Sequence, residues 1–256
     1  MEFDAVFAFL AGAAFLAGLV DAVVGGGGLI QIPALLAAFP HTAPATLFGT
    51  NKIASIVGTS SAALQYSRRV HIPWGVALPG ALAALAGAWL GARAVVFAPV
   101  ELLRYVILAL LILVAVYTFI RKDFGTHHNE ITVERTRAVR AVLIGCGIGF
   151  YDGFFGPGTG SFLIFLLVRS IGMDFLRASV TAKIINVATN LSALIYFSTS
   201  VELFWKLGIS MAIANLVGAI IGSRLALKHG SGFVRRMFLG VVVCLIAKLG
   251  YDLLSG

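Results

Sequence analysis

Long apolar blocks fill this chain, and the polar positions that interrupt them recur. Blocks run over about 4–24, 45–67, 73–97 and 100–121, then over about 138–154, 176–198, 204–228 and 233–254. Each approaches the ~20 residues a helix needs to cross ~30 Å of hydrocarbon. Two shorter blocks, at about 28–39 and 159–171, each follow a glycine-rich break. As a helix rising ~1.5 Å per residue, the first short block covers only ~18 Å. Each break with its flanking segments therefore predicts either a re-entrant pair or a broken helix. Non-helical backbone at that depth is tolerated where it lines a protein-enclosed cavity.

Sliding the chain by 131 positions aligns the two series of blocks without a gap. GLVDAVVGGGG falls on GFYDGFFGPGT, so Asp21 matches Asp152 and Gly25 matches Gly156. Thr50 and Lys52 match Thr181 and Lys183, and Trp74 matches Trp205. Gly87, Gly91 and Arg93 match Gly218, Gly222 and Arg224. The expected organisation is a first transmembrane repeat over 1–122, a linker over 123–137 and a second repeat over 138–256.

Composition agrees. Hydrophobic residues make up 59% and charged residues 12% of the 256 positions, against about 25% charged in ordinary soluble domains. Mean hydropathy is +0.98. The expected class is an all-α polytopic membrane protein. Glu2 and Asp4 precede the first apolar run, where a signal peptide would carry basic residues, so a cleaved leader is not expected.

The net charge of +8 reads as a topology signal, since Lys and Arg mark cytoplasmic loops; no nucleic-acid partner is expected. Each repeat has an odd number of crossings whether its broken segment spans or re-enters, which inverts the second copy. With the loop holding Arg68 and Arg69 placed inside, thirteen basic residues fall inside and four outside, Lys52 and Lys183 apart. This favours two inverted-topology repeats, each with a short glycine-broken helix pair and three longer helices. Both termini would lie outside and the linker in the cytoplasm, a layout found in many secondary transporters.

The intramembrane charges are the first candidates for chemistry, because a charge at that depth needs a partner or a function. Lys52 and Lys183 would attract a small anion, pair with Asp21 or Asp152, or reach toward an interface. The breaks at Gly25, Gly26, Gly27 and Gly28, and at Gly156, Gly158, Thr159 and Gly160, would offer backbone N–H donors at the starts of short helices. Thr50, Asn51, Ser55, Thr181, Asn186 and Asn190 either orient substrate oxygens or join helices. Asp21 and Asp152 either relay protons or neutralise the lysines. Trp74 and Trp205 read as interface anchors.

Cys146 and Cys244 lack any metal or disulfide spacing, and His127 and His128 form no metal motif. No cofactor is called for. No catalytic triad, HExxH or nucleotide-binding fingerprint occurs, so an enzyme is disfavoured.

Taken together, GLVDAVVGGGGLIQIP, GTNKIASIVGTSSAALQY and GAWLGAR, with their echoes GFYDGFFGPGTGSFLI, TAKIINVATNLSALIYF and GAIIGSR, resemble the TauE/SafE sulfite exporter family. The resemblance covers essentially the whole chain. It implies a bacterial inner-membrane permease with two homologous halves for small sulfur-containing anions such as sulfite or sulfoacetate. The halves differ where GPGTG replaces GGGGL and Ala182 replaces Asn51. A passive anion channel, a membrane enzyme or accessory protein, and an uptake permease for another organic anion such as a carboxylate stay open, as do proton coupling and homo-oligomer formation.

Overall fold

The computed structural model describes residues 2–95 and 133–255. The expected block at about 100–121 and most of the linker lie outside the described residues. Among these residues the chain forms eight helices: α1 (Glu2–Val24), α2 (Gly28–Ala38), α3 (Pro44–Ser67), α4 (Trp74–Ala94), α5 (Glu134–Phe154), α6 (Thr159–Ile171), α7 (Phe175–Ser200) and α8 (Trp205–Ser255). Four of them contain stretches long and apolar enough to cross a membrane: Val6–Val24, Trp74–Ala94, Phe175–Ser200 and Trp205–Val234. The protein is thus a multi-pass, helical membrane protein.

Local chemistry sets the boundaries. Gly25 and Gly156 end α1 and α5 with positive φ of 80° and 94°, a conformation that costs glycine little. Gly172, at φ 89°, ends α6, and the carboxylate of Asp174 then caps α7 by accepting from the N–H groups of Leu176 and Arg177 at 2.9 and 3.0 Å. Pro44 opens α3, where its missing N–H costs nothing. Trp74 and Trp205 begin α4 and α8, each as the donor to a carbonyl two residues back, and both side chains are exposed.

Two departures from the sequence expectation stand out. α5 starts at Glu134, inside the expected linker, because a polar first turn can extend the helix beyond its apolar stretch. The last two blocks form one helix broken only at Gly230, where φ is 74° and ψ −173°.

The helices of the two halves interleave. α1 packs most extensively on α8, and α4 on α5, while α3 and α7 meet at the centre. Small residues permit this closeness. A Cβ at Gly87 would collide with the Cys146 carbonyl oxygen, and one at Gly218 with that of Phe15. A Cβ at Gly91 would strike the Phe150 carbonyl oxygen, and one at Gly222 that of Leu19. Each collision in one half has its counterpart 131 residues away. Gly49, early in α3, lies against Phe197, late in α7. The Thr50 hydroxyl oxygen likewise accepts from the Phe204 N–H just past the end of α7. α3 and α7 therefore run antiparallel.

Candidate functional site

α3 is as long as a membrane span at 24 residues, yet it carries Thr50, Asn51, Lys52, Thr59 and other polar residues in its buried set. Along α3, Lys52, Ser55, Thr59, Ala62 and Tyr66 fall at alternating steps of three and four. Along α7, Lys183, Asn186, Asn190, Ala193 and Phe197 do the same. Such spacing puts each set on one helical face. The Lys52–Thr59 part of the first stripe and the Asn186–Asn190 part of the second, with the two glycine breaks, surround a small polar cavity. Its lining includes Asp21, Asn51, Lys52, Ser55, Thr59, Asp152, Asn186 and Asn190, with Gly25, Gly28, Gly156, Thr159 and Gly160 from the breaks. Its volume of about 20 Å³ is room for about one water molecule. Tyr66 and Phe197, at matching ends of the two stripes, are both fully buried.

The ammonium of Lys52 donates to Asp152 Oδ2 at 2.7 Å, and both side chains are almost wholly buried. Thr159 Oγ1 donates to the other carboxylate oxygen at 2.7 Å. On the equivalent pair the geometry is looser. Lys183 donates to the main-chain carbonyl of Asp21, and its ammonium lies 3.9 Å from Asp21 Oδ2. Thr59 donates to that same carboxylate oxygen at 3.1 Å. The Asp21 side chain is 18% exposed, against 3% for Asp152. Each lysine thus meets the aspartate of the other half, so the site exists only when both halves are assembled. Tyr66 adds a link at this end, donating to the Ala22 carbonyl at 3.0 Å.

The breaks themselves touch. The Ser161 N–H donates to the Gly25 carbonyl at 3.1 Å, and the Ser161 hydroxyl to the Val24 carbonyl at 2.9 Å. Gly25 and Gly160 pack backbone to backbone, leaving no room for a Cβ on either. An N–H of the first turn of α6, one residue past the expected donors, is therefore used to join the two halves.

Asn190 Nδ2 donates to Asn186 Oδ1 at 2.6 Å, which orders the amide pair on the cavity wall. Asn51 also lines the wall, and its Oδ1 is buried with no hydrogen-bond partner among the described residues. An acceptor left in that state costs about 1–3 kcal/mol, so it is a natural contact for water or a ligand donor.

Some sequence candidates do not reach the cavity. Thr50 and Thr181 are two residues before their lysines, which turns them to the far side of the helix. Their hydroxyls donate to the carbonyls of Thr46 and Arg177 at 2.7 and 2.8 Å. Gly26, Gly27 and Gly158 support the breaks without lining the cavity, and Lys183 sits behind Asp21. Thr59 was the residue missed. Its signal was present: it lies seven positions after Lys52 and matches Asn190 in the repeat.

The model of the sulfite exporter TauE/SafE family matches residues 10–249. The chain belongs to that family. It is 37% identical over 249 residues to the probable membrane transporter protein ORF9 of Sinorhizobium sp, with 96% of this chain and 93% of the relative covered. It is 33% identical over 240 residues to the probable membrane transporter protein YfcA of Escherichia coli strain K12, with 93% and 87% covered. A probable membrane transporter protein of Haemophilus influenzae is 30% identical over 242 residues, with 93% and 92% covered. No solved structure gives a significant match. This TauE/SafE member is therefore a membrane transporter by family.

Proposed function

We propose that this TauE/SafE protein is a secondary transporter of small sulfur-containing anions such as sulfite or sulfoacetate, in the bacterial inner membrane. The two repeats are inverted relative to one another, and the substrate binds between them. The observation that carries this reading is the pair of lysines, each held by the opposite half's aspartate around a polar cavity among apolar helices. Lys52 and Lys183 supply charge, and Asn51, Asn186 and Asn190 orient oxygens. The matched glycine contacts at one offset support the inverted repeat.

The small cavity favours a carrier over an open channel. A space of about 20 Å³ is far below the size of an oxyanion, so the halves must part for substrate to enter. Alternation between two such openings is how inverted repeats transport. The charges also favour proton coupling. Each ammonium already has a carboxylate partner, so an incoming anion must displace one or meet it protonated. Asp21 is the better placed carrier of that proton, being more exposed and more loosely held than Asp152.

Uptake of labelled sulfite or sulfoacetate by proteoliposomes tests the reading. Saturable flux is expected, able to run uphill when a proton gradient is imposed. Transport surviving unchanged in a Lys52→Ala, Lys183→Ala double variant would sink the proposed site.

A further inference from the structure

A second concave pocket lies between the C-terminal end of α3 and the face of α8. Gln65, Arg68, Arg69, Arg224, Leu227 and Lys228 line it, and its volume is about 390 Å³. We propose that this pocket is an oxyanion-binding site, separate from the central cavity. Four cationic side chains converge on it, and no acidic residue is among those lining it. Like charges gathered around one concavity repel unless an anion sits among them. Its size falls within the ~300–1,000 Å³ usual for ligand pockets.

The backbone holds the cluster in place. Arg68 is the C-cap of α3, and the N–H groups of Arg69 and Val70 both donate to the Tyr66 carbonyl, at 3.0 and 2.8 Å. This turn fixes the two arginines at the helix end. Arg224 and Lys228 are four apart on α8 and so share a face. Three guanidinium forks, an ammonium and the Gln65 amide form a donor set suited to the oxygens of a phosphate, sulfonate or sulfite group.

The cluster is not a by-product of the duplication. The equivalent sequence positions hold Tyr196, Thr199, Ser200, Arg93 and Phe97, where Arg93 alone is basic. The repeat therefore does not carry this basic set into its second copy. Gln65 is next to the buried Tyr66, so the pocket lies just beyond the end of the α3 stripe that lines the central cavity. Its ligand is an oxyanion, supplied either by a lipid phosphate headgroup or by a soluble anion. This inference does not depend on the transport reading.

The test uses the purified full-length chain and a variant carrying Arg68→Gln, Arg69→Gln, Arg224→Gln and Lys228→Gln. One arm titrates inorganic phosphate at constant ionic strength and follows the thermal midpoint. The other measures phosphatidylglycerol retention by native mass spectrometry. In chloride the variant should unfold at or above the wild-type midpoint, because the mutual repulsion is gone. It should lose either the soluble-anion response, identifying a free anion, or the phosphatidylglycerol adduct, identifying a lipid. Lys52→Ala should keep whichever response the basic variant loses, which separates the pocket from the central site. If the fourfold variant does not fold, the milder Arg224→Gln, Lys228→Gln pair at exposed helix positions should raise the apparent Kd about tenfold. Anion response and lipid retention both unchanged in the folded basic variant would overturn the proposal.

Discussion

Removing one member of a buried ion pair leaves its partner charged and unsolvated, whereas removing both can be nearly neutral. Lys52 and Asp152 meet at 2.7 Å with both side chains almost wholly buried. Lys52→Met should therefore cost ~3–5 kcal/mol of stability, most of it recovered in Lys52→Met, Asp152→Leu. Lys183→Met should cost less, because its ammonium lies 3.9 Å from Asp21 Oδ2 and 18% of the Asp21 side chain is exposed. Thermal unfolding of the four purified proteins checks the order, and equal losses for the two lysines would contradict it. The four charges were legible in the sequence because nothing apolar can satisfy an ammonium or a carboxylate. Their pairing across the halves was not, since it depends on which helices pack together. Thr50 and Thr181 show the converse, since nearness to a lysine along the chain does not bring them to the cavity.

At the scale of helices, close packing depends on glycines that face a neighbour's backbone. Gly91 on α4 leaves no space for a Cβ against the Phe150 carbonyl, while Gly147 on α5 has nothing within 4 Å of its Cβ direction. Gly91→Val should push α4 from α5 at a cost of ~1–3 kcal/mol. Gly147→Ala should be neutral or stabilising by up to ~1 kcal/mol, through helix propensity alone. Thermal unfolding and size-exclusion profiles in detergent read both, and a harmless Gly91→Val would refute the packing argument. The helices themselves could be read from apolar block length, and the breaks at Gly25 and Gly156 from composition. The α1–α8 and α4–α5 pairings could not, because hydrophobicity does not say which glycine meets which carbonyl. Likewise, nothing in the Gly-rich second break foretold that the Ser161 N–H would be used on Gly25.

Across the whole molecule, the antiparallel meeting of α3 and α7 fixes where equivalent loops emerge. Ser67 and Ser198 are repeat-equivalent and exposed, each at or near the end of its helix. Gly49 beside Phe197 places the end of α7 near the start of α3, so Ser67 and Ser198 lie at opposite ends of the pair. In a membrane they should then face opposite sides. The prediction is made in a Cys146→Ser, Cys244→Ser background, because Cys146 is itself exposed. Ser198→Cys should react with a membrane-impermeant maleimide added from outside, and Ser67→Cys should react only after the membrane is opened. Arg68 and Arg69 follow Ser67 directly, so its protection agrees with the rule that basic loops stay in the cytoplasm. Labelling of both cysteines from one side would remove the inverted repeat, and with it the reason for alternating access. Labelling from opposite sides would place Lys52 and Lys183 on halves that face opposite ways. A single-lysine variant should then impair binding from one side of the membrane more than from the other. Sided transport assays on Lys52→Ala and Lys183→Ala would reveal this as opposite asymmetries in KM.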